Sequence, residues 1–396
     1  MAKTVIRKPS ITKSSKIARK SAAPKKAVSK KASSKKPMQS SAKSTLKKPL
    51  KKLSPPKKIA VVKKLVAPKK PAPIAKKSKP VAKPKILVID DKKVGVLGIN
   101  DNFLGLEPES SNYEKSRVVI ISAPYEKTVS YGGGTAKAPK AIIDASHYVE
   151  FFDDEFEREL CFEAGIATLP PINFGALEGR EMLKHLQQAV AHELKAGKFV
   201  ITLGGEHSIS TAPILAHAAK HPKMSVLHFD AHSDLRQEYG GTPYSHASFM
   251  ARVAEAGFPM DHVVQVGIRA QSIDEWRFAK QNKVQTFYAS AIRRKEHGKK
   301  WQKAIAEALP TEDVYVTFDV DYFDPSIMPT TGTPEPDGFF WDETMEIFRR
   351  LAKAGKRIVG FDVVELSPEK SQQHATYLTA KLVYRLLNFA LARKSK

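Results

Sequence analysis

The chain of 396 residues has a single cysteine, Cys161, so no disulfide can close within one chain, and the sequence suits a reducing compartment. It has no apolar run long enough to span a bilayer, and its start lacks the apolar stretch of a secretory signal. Residues 1–85 contain no Asp, no Glu and no Phe, Tyr or Trp, yet they hold 29 Lys and Arg. The net charge of +25 is therefore unevenly distributed. The first 85 residues carry about +29, and the remaining 311 set 37 basic against all 41 acidic residues, about −4.

Units such as Ala23-Pro24-Lys25-Lys26 and Ala67-Pro68-Lys69-Lys70 recur in this tail. Dense like charge with few large apolar groups cannot form a core that offsets chain entropy, so 1–85 is expected to be a disordered basic tail. Its composition is similar to linker-histone tails and lysine-rich nucleoid proteins. It favours a non-specific, salt-sensitive arm for nucleic acid over a solvated tail without a partner. An organelle-targeting segment is the third reading, and the tail could also be processed away. Residues 86–116 read as an irregular lead-in, with Ile86–Ile89 a candidate short strand, and 117–396 as one catalytic domain. The expected location is cytoplasmic, with nucleoid association through the tail and no membrane partner.

From Val118 onward, strand-like runs alternate with helix-like stretches. Candidate strands are Val118–Ile121, Phe199–Leu203, Val226–Asp230, Val263–Val266, Val314–Asp319 and Ile358–Val364. Candidate helices include Arg180–Lys195, Ile209–Ala219, Ile273–Gln281, Gln302–Ala308, Asp342–Ala354 and Thr376–Ala392. Alternation of this kind implies an α/β fold with a parallel sheet covered on both faces, whose ligands bind beyond the carboxyl ends of the strands.

Three motifs sit where strands should end: Gly204-Gly205-Glu206-His207-Ser208, Asp230-Ala231-His232-Ser233-Asp234 and Asp319-Val320-Asp321. Together they offer two His, four Asp and no Cys, a set suited to hard or borderline divalent ions such as Mn²⁺. Four carboxylates exceed the need of one ion, so a two-metal site is the natural reading. If the chain stays extended, Asp230, His232 and Asp234 share one side. The two glycines permit close backbone approach at a crowded site. Taken singly, Asp319-Val320-Asp321 and His207 would be weak signals; their conjunction carries the argument.

The conjunction resembles the ureohydrolase family, which includes arginase and agmatinase. The match runs through those motifs, Phe323-Asp324-Pro325, Thr331-Gly332-Thr333-Pro334-Glu335-Pro336 and Ser130-Tyr131-Gly132-Gly133-Gly134-Thr135, and it excludes the tail. The resemblance implies a three-layer α/β/α sandwich around a mainly parallel, eight-stranded sheet, assembled as a trimer or hexamer. It implies two Mn²⁺ per subunit, with Ni²⁺, Co²⁺ or Zn²⁺ as alternatives, on His207, Asp230, His232, Asp234, Asp319 and Asp321. It also implies that Glu365 grips a substrate guanidinium and that His246 shuttles protons. Without the resemblance, Glu365 reads as a helix N-terminal carboxylate and His246 as a solvated loop ring. His147, His217 and His221 read as ordinary helix or loop residues.

The implied chemistry is attack of a metal-activated water on the guanidinium carbon. Asp234 would pass a proton to the departing amine, giving urea. Arginases carry an Asn where this chain has Arg236, and Thr331–Pro336 looks more like agmatinases, so agmatine, cleaved to putrescine and urea, is the expected substrate. Guanidinobutyrate, arginine and guanidine are the alternatives. Arg236 could pair with an acidic substrate or with Glu238, and Asp337 departs from the small residue common near the substrate mouth. The rival from another class is a nucleic-acid-associated scaffold acting through the tail.

Overall fold

A computed structural model describes residues 95–392. The basic tail, the candidate strand Ile86–Ile89 and the last four residues lie outside the described residues. Residues 95–116 pass through a 3-10 turn (Phe103–Gly105) and one helical turn (Pro108–Ser111) before the sheet begins.

Eight strands form one sheet: β1 Val118–Ala123, β2 Ile166–Thr168, β3 Phe199–Gly204, β4 Ser225–Phe229, β5 Val263–Val266, β6 Gln285–Phe287, β7 Asp313–Asp319 and β8 Arg357–Val364. Their order is β2-β1-β3-β8-β7-β4-β5-β6, and every neighbouring pair is parallel. The sheet is thus wholly parallel, where the family resemblance implied mainly parallel. All carboxyl ends consequently lie along one edge.

Both faces of the sheet are covered, and the strand residues show why. Val118 and Ile120 pack into one core with Ile142, Ile305, Phe348 and Leu387, from the helices Ala138–Ser146, Trp301–Ala308, Trp341–Lys353 and Gln373–Ala390. Val119 and Ile121 point the other way, against Met182, Leu186 and Ala212 from the helices Gly179–Lys195 and Thr211–Lys220. Val226, Val263 and Tyr315 continue that second layer against Phe249, Val253 and Ala279, from the helices Phe249–Glu255 and Ile273–Gln281. Successive side chains of a strand face opposite sides, so strands buried at every position require a covering layer on each face. The result is an α/β/α sandwich. Among the described residues no helix is long and apolar enough to cross a membrane.

Candidate binuclear metal centre

His207 follows β3, Asp230, His232 and Asp234 follow β4, Asp319 ends β7 with Asp321 in the 3-10 turn after it, and Glu365 follows β8. These strands are the four adjacent members β3-β8-β7-β4 at the centre of the sheet. Adjacent strands lie about 4.8 Å apart, so residues just past their ends can converge without distorting the sheet.

Glycine makes the approach possible. A Cβ on Gly205 would stand 1.9 Å from the carbonyl oxygen of Tyr125, so the turn after β3 closes only with a bare α-carbon there. The chain then delivers His207, fully buried and stacked on Phe249 with ring centroids 3.9 Å apart. After β4 the chain does not stay extended. Asp234 takes a left-handed conformation, φ 53°, and this turn, rather than simple alternation, aims its carboxylate back at His207.

Two clusters result. The His207 Nδ1 lies 3.1 Å from Asp230 Oδ2, 3.3 Å from Asp234 Oδ2 and 3.1 Å from Asp319 Oδ2. The His232 Nδ1 lies 2.9 Å from Asp321 Oδ2 and 3.5 Å from Asp230 Oδ1. All six expected ligands are brought together, and Asp230 offers one oxygen to each cluster. Backbone donors help to fix the carboxylates: the Ala231 N–H donates to Asp321 Oδ1 at 2.9 Å, and the Asp321 N–H to Asp319 Oδ1 at 2.8 Å.

The donor set fits divalent ions on an observation internal to the fold. Thr317 Oγ1 donates its one hydrogen to Asp362 Oδ1 at 2.7 Å and lies 3.0 Å from His207 Nε2. It therefore accepts from Nε2–H, which leaves Nδ1 with the lone pair that could ligate a cation. That Nδ1 is buried and makes no hydrogen bond, although three carboxylate oxygens surround it. A nitrogen and three carboxylates placed this way want a cation between them.

The electrostatics of the bare protein agree. Burial pushes Asp234 up to about 6, with the charge of Asp230 adding to it. Burial, then Asp321 and Asp230, holds Asp319 well above the ordinary carboxylate range. Burial opposes charge on His207, but its three carboxylates raise it well above the ordinary imidazole value. Burial likewise opposes charge on His232, and Asp321 and Asp230 outweigh it.

Glu365 also adopts a left-handed backbone, φ 64°; its N–H donates to the Gly205 carbonyl at 2.9 Å, and its Oε1 accepts the His207 N–H at 2.6 Å. It stands eight residues before the helix Gln373–Ala390 and is no helix N-terminal residue. Burial raises its pKa well above the usual range. His246 opens a 3-10 turn, is half-buried, and is held below its ordinary value chiefly by burial.

Glu365, His246, His232, Asp234, Asp319 and Asp321 all line one cavity of about 270 Å³. Arg236 and Glu335 sit in its wall. Arg236 reaches Glu275, with Nε 3.5 Å from Oε2, and its guanidinium lies 5.2 Å from the Tyr239 ring centre. Asp337 faces Arg293 at 3.3 Å instead of the cavity.

Several supporting residues escaped the sequence. Glu206, fully buried, accepts from the Lys127 and Thr128 backbone N–H groups and from the Thr128 and Ser208 hydroxyls. Thr128 in turn lies 3.2 Å from His246 Nδ1. Arg269 donates to the carbonyls of Gly267, Asp321, Tyr322, Phe323, Glu335 and Pro336. His217, read as ordinary, is a fully buried ring beside Tyr315.

A wholly parallel sheet with a buried carboxylate–imidazole cluster beyond its central strands, open to a cavity, defines an α/β protein with a candidate metal site facing a small-molecule pocket. The arginase family profile matches residues 116–388. The N(1)-aminopropylagmatine ureohydrolase of Synechocystis sp. is 34% identical over 290 residues, 72% of this chain and 92% of that protein. The agmatinase of Bacillus anthracis is 32% identical over 281 residues, 69% and 91% respectively. The crystal structure of the agmatine ureohydrolase of Thermoplasma volcanium superposes with a TM-score of 0.64 at 28% identity, covering 71% of this chain and 92% of that one. The chain belongs to the arginase family. It is a ureohydrolase acting on linear amidines.

Proposed function

We propose that this chain is an agmatinase, releasing urea and putrescine from agmatine. The observation that carries the reading is the pair of cation-shaped clusters sharing Asp230 at the floor of a cavity that Glu365 lines. His207, Asp230, Asp234 and Asp319 would hold one ion, and Asp230, His232 and Asp321 the other. Mn²⁺ is the proposed metal, because oxygen donors dominate and no thiolate is present.

Bound divalent ions lower the pKa of water and so supply a nucleophile near neutral pH. Glu365 holds the guanidinium by charge-assisted hydrogen bonds and orients its carbon. A C–O bond forms at that carbon and the C–N bond to the alkyl chain breaks. Asp234 accepts the proton of the attacking water and delivers it to the departing amine.

His246 exchanges protons with solvent. Thr128 gives its one hydroxyl hydrogen to Glu206, at 2.8 Å, so it must accept from His246 Nδ1–H. The other nitrogen, Nε2, is thereby left as a base for the cavity.

Substrate choice follows from the cavity wall. Arg236 is already engaged by Glu275 and Tyr239, which weakens the case for a carboxylate-bearing substrate such as guanidinobutyrate. A second reading, N(1)-aminopropylagmatine, is favoured by Glu335. This half-exposed carboxylate in the cavity wall, 4.0 Å from His232, is suited to an additional ammonium. Assembly as a trimer or hexamer belongs to the same proposal, and light scattering on the eluting protein tests it.

The decisive experiment is urea release by the Mn²⁺-loaded chain from agmatine, N(1)-aminopropylagmatine, arginine, guanidinobutyrate and guanidine. Agmatine is expected to give the highest kcat/KM. Loss of Glu335 (E335Q) is expected to weaken aminopropylagmatine more than agmatine. No urea from any of the five, with two ions bound, would overturn the reading and return weight to the scaffold.

A further inference from the structure

His228 lies inside β4, completely buried, and its ring stands against the site without belonging to the expected ligand set. Its Nε2 is 2.7 Å from Asp230 Oδ2, the same oxygen that faces His207. Its Nδ1 is 3.1 Å from the side-chain nitrogen of Gln265, the residue paired with it across β4 and β5. That Gln265 nitrogen is also 2.8 Å from the main-chain carbonyl of Ser233.

The protons in this chain of contacts can be assigned by elimination. A peptide carbonyl only accepts, so the Gln265 atom facing Ser233 must be the amide nitrogen. One of its two hydrogens goes to Ser233, and the other points at His228 Nδ1. That ring nitrogen therefore accepts, the ring proton sits on Nε2, and Nε2–H donates to Asp230 Oδ2. An Nε2 that carries a proton has no lone pair for a metal. Although Asp230, His207 and His228 place donor atoms close enough to share an ion, His228 is thereby excluded as a ligand. The ring plane is fixed as well, edge-on to both Phe249 and His207 with centroids 5.2 Å away in each case.

We infer that His228, set by Gln265 and the Ser233 carbonyl, is a positioning residue that orients Asp230 so that one oxygen faces each cation cluster. Asp230 serves both clusters only while Oδ2 faces His207 and Oδ1 faces His232, and rotation about its Cβ–Cγ bond is soft. A donor fixed on Oδ2, together with the His232 N–H on Oδ1 at 2.5 Å, removes that freedom. Partners of this kind behind metal ligands typically alter affinity by about 10–100-fold. The predicted consequence is specific: without His228 the two ions no longer bind as a coupled pair. Ser233 belongs to the same motif as the ligands, so the strap that fixes Asp230 is anchored in the turn that follows β4.

This inference rests on the metal reading above. Its test is titration of the full-length, metal-stripped chain with Mn²⁺, followed by calorimetry and by the electron-spin spectrum of paired Mn²⁺ ions. The variants are His228→Leu, His228→Gln and Gln265→Met. His228→Leu is expected to bind Mn²⁺ about 10–100-fold more weakly and to lose the coupled spectrum. His228→Gln, which can still donate to Oδ2, is expected to recover most of both, and Gln265→Met to fall between. Thermal midpoints of the metal-free variants are expected to stay near that of the parent, which separates positioning from a general structural role. If His228→Leu does not fold, Gln265→Met decides. Parental affinity and spectrum in both would overturn the inference while leaving the metal reading intact. A parent chain that binds no divalent ion would overturn the metal reading, and this inference with it.

Discussion

Glu365 occupies a backbone conformation that side-chain-bearing residues rarely adopt, φ 64°, at the floor of the cavity. Such a conformation costs of order 1–3 kcal/mol and persists only where the surroundings enforce it. The Gly205 carbonyl and the His207 N–H do so, gripping its backbone and side chain respectively. Glu365→Gln keeps an acceptor for His207, so the fold and metal content are expected to survive. It removes the charge opposite a guanidinium, and kcat/KM for agmatine should fall by about 10²-fold or more. Steady-state kinetics beside metal analysis checks this; unchanged kcat/KM would remove Glu365 from its role.

His217 offers a test of stability remote from the site. Its Nδ1 meets the Pro213 carbonyl at 2.8 Å, and its Nε2 is buried without a partner. The neighbouring strand leaves room only because residue 360 is glycine: a Cβ there would stand 2.1 Å from Nε2. Burial pushes the ring down to about 3, from an ordinary 6.5. Below 6.5 the unfolded chain takes up a proton that the folded chain refuses, so stability falls with pH until about 3, by about 1.4 kcal/mol per unit. By pH 5 this one ring accounts for about 2 kcal/mol. His217→Gln is expected to lose stability less steeply between pH 6.5 and 5, as read by denaturant midpoints. Parallel acid limbs in the two proteins would refute the assignment.

At the scale of elements, the site is a set of strand ends, and that is why so much of it was legible. The apolar runs before His207, Asp230 and Asp319 announce buried parallel strands, and such strands place ligands beyond their carboxyl ends. The two edge strands, Ile166–Thr168 and Gln285–Phe287, are three residues each and too short to show a period. The helices Ala138–Ser146 and Phe249–Glu255 were missed as well, the first beginning around Pro139 and the second directly after the His246 turn. His228 was absorbed into its apolar run, although a buried ring in a strand needs partners and should have drawn a search for them.

Arg269 had no local signal, because its work is done across distant turns. Its guanidinium ties the end of β5 to the turn after β7 and to Glu335 and Pro336 in the cavity wall. Lysine has the charge but not the planar fork that reaches several carbonyls at once. Arg269→Lys is expected to cost about 2–4 kcal/mol through carbonyls left without donors. It should also weaken Mn²⁺ binding about tenfold by loosening Asp321. Differential scanning and metal titration read the two effects. A lower thermal midpoint with metal affinity unchanged would confine Arg269 to the wall of the cavity.

At the scale of the whole molecule, charge and chemistry divide along the sequence. Every residue placed in the site lies beyond Tyr125, in a body of about −4, while residues 1–85 carry about +29 and no acid. A mildly acidic enzyme gains no evident help from such a segment in binding a cationic substrate, since like charges repel. Lysines gain instead by displacing counterions from a phosphate backbone, without reading its sequence. Deletion of residues 1–85 is therefore expected to leave kcat and KM for urea release within about twofold. The full chain is expected to be retained on random-sequence DNA, with affinity falling by roughly 10³-fold or more between about 50 and 200 mM salt. The deleted chain should pass through unretained at any salt. If the deletion abolishes turnover with both ions bound, the tail has a part in the catalytic body. If the full chain is not retained even at low salt, the polyanion reading of its 29 cations fails, and targeting becomes the function to test in its place.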